Sequence, residues 1–129
     1  MATQSVGTLM HENQLDPPQG KRLLTALRKV CAKLPDVEEV IDGFGHTTFK
    51  VKKKSFVIAG MGENGTSISI KCDPITQAAL IKRGPYYRTP YIGQHGWVSV
   101  ENPLKQDWSE IQELITDAYL SVAPKSRRK

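Results

Sequence analysis

Residues 55–73, SFVIAGMGENGTSISIKCD, read as two strands folded back on one another. Asn64-Gly65 is a strong hairpin signal, because both central residues of a two-residue hairpin turn must accept positive φ. Beyond the turn, Ile68, Ile70 and Cys72 alternate with Ser67, Ser69 and Lys71, so one face of that strand is buried and the other polar. A sheet with one buried face needs a cover, and the flanking sequence supplies it as amphipathic helices.

Upstream, HTTFKV (46–51) reads as a strand that joins SFVIAG through the basic turn Lys52-Lys53-Lys54. Before it, KRLLTALRKVCAKL (21–34) repeats Leu23, Leu27, Val30, Cys31 and Leu34 at helical spacing, with its cations outside that stripe and Pro35 as the stop. Downstream, Pro74 opens a short helix, PITQAALIKRG, that Gly84 closes. YYRTPYIG and GWVSVEN follow as short extended segments joined through Gly93 to Gly96, with Val98 and Val100 on one face and Trp97 and Ser99 on the other. In DWSEIQELITDAYLSVA, Asp107 and Glu110 have the spacing of a capping box, and Pro124 ends the element. The expected fold class is α+β: a two-layer sandwich whose antiparallel sheet has about five strands, with two long helices on one face and one short helix between strands. Val57, Ile68, Ile70, Val98, Val100, Leu27, Ile111 and Ile115 are the expected core.

A chain of 129 residues with 39% hydrophobic and 24% charged residues suits one globular domain. Residues 1–20 read as a flexible leader, 21–124 as the domain and 125–129 as a basic tail. No apolar run approaches the length that crosses a bilayer, and the leader lacks the features of a signal peptide, so a cytoplasmic monomer without a membrane partner is expected. Cys31 and Cys72 fall on apolar patterns and read as buried free thiols rather than a disulfide framework. The net charge of +5 is unevenly spread. Eight basic residues (Lys50, Lys52, Lys53, Lys54, Lys71, Lys82, Arg83 and Arg88) face only Glu63 and Asp73 in that stretch, and Lys125, Arg127, Arg128 and Lys129 crowd the tail.

Phe49-Lys50-Val51 with the lysine turn and Phe56, Lys71-Cys72-Asp73-Pro74, Gly96-Trp97-Val98, and Ala118-Tyr119-Leu120 with Ala123-Pro124-Lys125 together resemble the MmcQ/YjbR family of small bacterial proteins, over roughly residues 21–125. The resemblance implies a CyaY-like (frataxin-like) fold and a DNA-binding role through a double-wing arrangement of hairpins. It transfers no catalytic residue.

The chemistry-bearing residues point away from catalysis. His11, His46 and His95 match no zinc spacing, and neither cysteine belongs to a CxxC pair. A Cys72/His95 nucleophilic pair would need the fold to bring the two together, whereas the strand pattern turns Cys72 inward. GMGENG is no phosphate cradle, and the basic first helix offers no carboxylate cluster for iron. No catalytic residue, metal site or cofactor is expected.

Two binding readings remain. In the first, a non-enzymatic, weak and sequence-tolerant nucleic-acid contact uses the basic wing of Lys50, Lys52, Lys53 and Lys54, extended by Lys71 and Arg88. Against it, lysines at a hairpin tip also serve solubility and discourage edge pairing. In the second, Lys71, Tyr86, Arg88, His95 and Trp97 gather over the polar face of the sheet into a patch for a small molecule or protein partner. The simpler alternative is that Tyr87, Tyr91 and Trp97 anchor the 86–97 loop to the core. His46 in FGHTTF reads as a strand histidine rather than a switch.

Overall fold

The computed structural model describes residues 13–124. The tail cations and His11 lie outside the described residues. In chain order the elements are α1 (Pro18–Cys31), β1 (Glu38–Ile41), β2 (Thr47–Val51), β3 (Lys54–Gly62), β4 (Gly65–Ile70), α2 (Pro74–Arg83), β5 (Tyr87–Arg88), β6 (Val98–Glu101) and α3 (Trp108–Val122), with single 3-10 turns at Gly93–His95 and Pro103–Lys105. The six strands form one open antiparallel sheet in the order β1-β2-β3-β4-β6-β5. The fold is α+β, as the sequence suggests, with one strand more than the expected five.

The extra strand is β1, whose four residues are all exposed. It has no buried–polar alternation to betray it. Its pairing with β2 and a bidentate Arg28–Glu39 ion pair to α1, with N···O distances of 2.8 and 2.6 Å, hold it at the edge.

Alternation assigns the two faces. The rows Thr47–Ala59–Ile68–Val100 and Phe49–Val57–Ile70–Val98 point into the core, which the stripes of α1 and α3 complete. All eight expected core residues are buried to 1% exposure or less. Between Phe49 and Lys50 the β2–β3 register shifts, which leaves Phe56 as an extra residue on β3. Such a bulge lets successive side chains turn inward. Phe56 and Val57 are both fully buried, and the Phe56 ring meets Tyr119 edge-on at 5.5 Å. The Tyr119 hydroxyl donates to the Pro35 carbonyl at 2.7 Å, which ties α3 to the end of the α1 turn.

Several boundaries differ from expectation. Helix α1 begins at Pro18, three residues before position 21, and it ends at Cys31, with Pro35 beyond it. Ahead of it, Leu15 is fully buried in the core. Residues 13–20 therefore belong to the folded unit rather than to a leader. The β3–β4 hairpin forms, but its two loop residues are Glu63 and Asn64. Gly65 pairs with Gly62 and alone carries positive φ, at 130°. Asp107 does cap α3 through the Glu110 amide, at 3.1 Å, but the Glu110 carboxylate turns outward to Arg83 and Tyr86 instead of closing the box.

Leu15→Ala should lower unfolding free energy by about 2–5 kcal/mol, the usual range for emptying a fully buried leucine site. Denaturant titration measures it. A change near zero would return residues 13–17 to the status of a leader.

Candidate functional site

The lysine turn has the geometry of a tight hairpin. Lys52 and Lys53 both sit in the left-handed region, with φ of 50° and 70°, as a type I′ turn requires. Both are exposed, as is Lys54. Their surroundings, however, are not purely basic. Lys50 is cross-strand partner to Glu38, and a shallow cleft of about 490 Å³ is shared by Lys52, Lys53, Asp36 and Glu38. Arg83 is engaged by Glu110 through two hydrogen bonds of 2.7 and 2.8 Å. Arg88 lies on β5 at the far edge of the sheet, paired with Val98, beside Gly93. The basic run from residue 50 to residue 88 is thus divided among several surfaces.

The aromatic patch expected from the sequence is divided as well. Tyr86 is 4% exposed, and its hydroxyl donates to Glu110 at 2.8 Å. Burial first, and then the Glu110 carboxylate, push its phenol above the ordinary value. Trp97 is buried, and its carbonyl accepts from the Gln77 side chain at 2.9 Å. Buried Gln77 also donates to Gly93 at 2.7 Å and so clamps the loop at both ends. Lys71 and His95 do meet. The Lys71 ammonium lies 3.4 Å from the His95 carbonyl, and both line a cleft of about 340 Å³ with Cys72, Asp73 and Asp117. Gly96, at φ 98°, lets this loop approach, since a Cβ there would strike the Cys72 carbonyl. The thiols are poor nucleophiles. Burial, then the charges of Asp73 and Asp117, push Cys72 up to about 11, and burial pushes Cys31 up to about 12. Among the described residues no group of three His, Cys, Asp or Glu side chains could hold a metal ion.

A different constellation forms on the helix-free face of the sheet. The row Thr48–Ile58–Ser69–Ser99–Tyr87 crosses five strands on that face, opposite in parity to the core rows. Its hydroxyls are linked, with Ser69 to Ser99 at 2.8 Å and Ser99 to Thr89 at 2.8 Å. They floor a cleft of about 400 Å³ whose lining includes Phe44, His46, Tyr87, Tyr91 and Ile92. Two rim residues are large aromatics left in solvent, Phe44 at 79% and Tyr91 at 96% exposure. Tyr91 therefore does not anchor its loop to the core.

The Phe44 side of the rim is rigidly held. Asp42 accepts the amides of Phe44 and His46 at 2.8 and 3.0 Å, and its second oxygen meets the His46 ring at 3.1 Å. Burial opposes ionisation of Asp42, but the two amides and the imidazole outweigh it and keep the carboxyl below its ordinary value. Gln14 bridges the loop to β3, donating to the Phe44 carbonyl at 2.7 Å and accepting the Met61 amide at 2.9 Å. Gly60 makes room for this, because a Cβ there would lie 2.5 Å from Gln14 Oε1 and 2.7 Å from His46 Cδ2. The alternation of Ser67 and Ser69 signals the polar face in sequence. The convergence of Phe44 and Tyr91 on it depends on pairing between distant segments.

The YjbR family model matches residues 32–121, more than half of the chain. The chain belongs to the YjbR family. The matched span contains every residue of the open-face cleft and the lysine turn, and begins just after α1 ends. The crystal structure of the Deinococcus radiodurans protein DR2400, a DUF419 protein, is similar to this YjbR-family chain with a TM-score of 0.71 at 22% identity, over 95% of this chain and 89% of that one. At that identity the likeness concerns the fold. No curated protein matches the chain.

With Cys72 and Cys31 raised to about 11 and about 12, thiolate is scarce at neutral pH in both. Alkylation by iodoacetamide at pH 7.5 should run well below the rate of free cysteine and rise with pH past 9. Rapid labelling of Cys72 at pH 7.5 would contradict this and reopen a thiol chemistry in the His95 cleft.

Proposed function

We propose that this YjbR-family protein is a non-enzymatic binding module whose ligand lies on the helix-free face of the sheet, against Phe44 and Tyr91. The observation that carries the reading is the pairing of two solvent-exposed aromatics with a floor of linked hydroxyls in one cleft of about 400 Å³. Pockets of that size suit small molecules, with apolar walls for affinity and a few polar groups for orientation. The ligand chemistry that fits is a small uncharged molecule with a flat ring and several hydrogen-bonding groups. Its ring would cover the aromatics, and its polar groups would meet Ser67, Ser69, Ser99 and Thr89. The Asp42 carboxylate is occupied by its own turn and by His46, so it positions the rim rather than pairing with a cationic ligand.

The lysine turn favours a second reading, weak and sequence-tolerant nucleic-acid binding. Three adjacent exposed lysines on a protruding turn support it, and the nearby Asp36 and Glu38 oppose it. Phosphate contacts alone would give affinity that falls with salt and little choice of sequence. The two long helices packed against one face of an antiparallel sheet also support a CyaY-like relationship. Two free cysteines, Cys31 buried and Cys72 half-buried, suit a reducing cytoplasmic setting.

A ligand-observed NMR screen of neutral ring-bearing compounds tests the first reading. At least one binder should lose about tenfold or more in affinity for a Phe44→Ala, Tyr91→Ala variant, in line with the loss of aromatic contact area. Binders indifferent to that variant, or none at all, would sink it. Salt-titrated binding to random-sequence DNA tests the second. A Lys52→Glu, Lys53→Glu, Lys54→Glu variant should abolish the interaction, and unchanged binding would remove the wing from consideration.

A further inference from the structure

On the helix side, α1 and α3 leave between them a groove of about 830 Å³. Its floor is apolar and includes Ala26, Val30, Leu34, Leu104 and Trp108. Leu104 is 40% exposed and Trp108 is half-buried, so the floor is open to solvent. One wall carries Arg22, Lys29 and Lys33, all exposed and all from α1 and the turn after it, and the opposite wall is uncharged, with Gln112 and Thr116.

No carboxylate lines this groove. The ion pairs among the described residues, Arg28–Glu39, His46–Asp42 and Arg83–Glu110, leave all three wall cations out. Three cations beside an apolar floor, with no acid to neutralise them, call for a partner that is both acidic and apolar. From their sequence spacing, and a helical rise of about 1.5 Å per residue, Arg22 and Lys29 stand about 10 Å apart along the groove, and Lys33 extends the row four residues on, in the turn after α1. A helix with carboxylates seven and then four residues apart follows that row, and its adjacent apolar stripe would meet the floor. Grooves between helices accept a further helix at interaxial distances of about 8–10 Å. A nucleic-acid backbone would match the cations but leave the Leu104 and Trp108 surface without an apolar counterpart.

We propose that the groove between α1 and α3 docks an acidic amphipathic helix of a partner protein. The attraction is electrostatic along the α1 wall and hydrophobic along the floor. The site faces away from the open sheet, so it operates independently of a ligand held by Phe44 and Tyr91.

The test uses the full-length chain labelled with nitrogen-15, titrated with a synthetic peptide of about 16 residues, long enough to form a helix. The peptide has leucines on one face and glutamates at the two spacings above. Saturable shifts of the Trp108 indole and of amides in residues 22–34 and 104–116 are expected. A second peptide with lysine at every glutamate position should leave them unmoved. Arg22→Glu, Lys29→Glu, Lys33→Glu should weaken the acidic peptide at least about tenfold. Leu104→Ser should weaken it as well, which separates docking on the floor from charge attraction alone. All four residues are exposed, so unchanged spectra of the sheet would show each variant folded. Equal binding of the lysine peptide, indifference to either variant, or no saturable shift would overturn the proposal. So would tighter occupation of the same residues by random-sequence duplex DNA, which would make the groove a nucleic-acid surface.

Discussion

Strand β4 sets Ile68 and Ile70 against the helices and Ser67 and Ser69 toward the other side, and this two-residue alternation governs the molecule. A one-residue slip in its pairing would exchange the two faces and bury the serines under α1 and α3. Pairing on both sides of β4 holds the register, through six residue pairs with β3 and four with β6. The helices can then cover one face only. The uncovered face must satisfy its own polar groups, which it does through the Ser69–Ser99–Thr89 hydroxyl chain.

The features legible in the sequence are those decided by local period or local chemistry. The stripes of α1 and α3, the Asp107 cap, the closure of α2 at Gly84 and the eight core residues all depend on neighbours within a few positions. Those that escaped depend on distant partners. Strand β1 is fixed by β2 and by Arg28, not by a pattern within Glu38–Ile41. Leu15 joins the core although the residues around it read as a leader. The turn register of the β3–β4 hairpin follows strand pairing rather than the Asn64-Gly65 dipeptide.

The candidate sites likewise depend on distant partners. Summing charge over residues 50–88 counts cations that the topology sends to different edges, and it omits Glu38, which pairing places beside Lys50. Tyr86 and Trp97 resemble binding aromatics by composition, yet both are buried in the wall of the fold. The most exposed aromatics among the described residues are Phe44 and Tyr91, one on each of two loops separated by more than a third of the chain and brought to one cleft by the sheet. Lysine turn, helix groove and sheet cleft are three separate surfaces with different chemistry: cations at a tip, cations beside an apolar floor, and hydroxyls under aromatic rings.

We have proposed that the helix-free face is a ligand site rather than a solvated surface. A crystal of the full chain soaked with a neutral aromatic fragment that carries hydroxyl groups tests it most directly. Fragment density is expected over Ser69 and Ser99, in contact with the Phe44 or Tyr91 ring and hydrogen-bonded to the hydroxyl chain. Density confined to other surfaces, with the open face empty at saturating fragment, would contradict it.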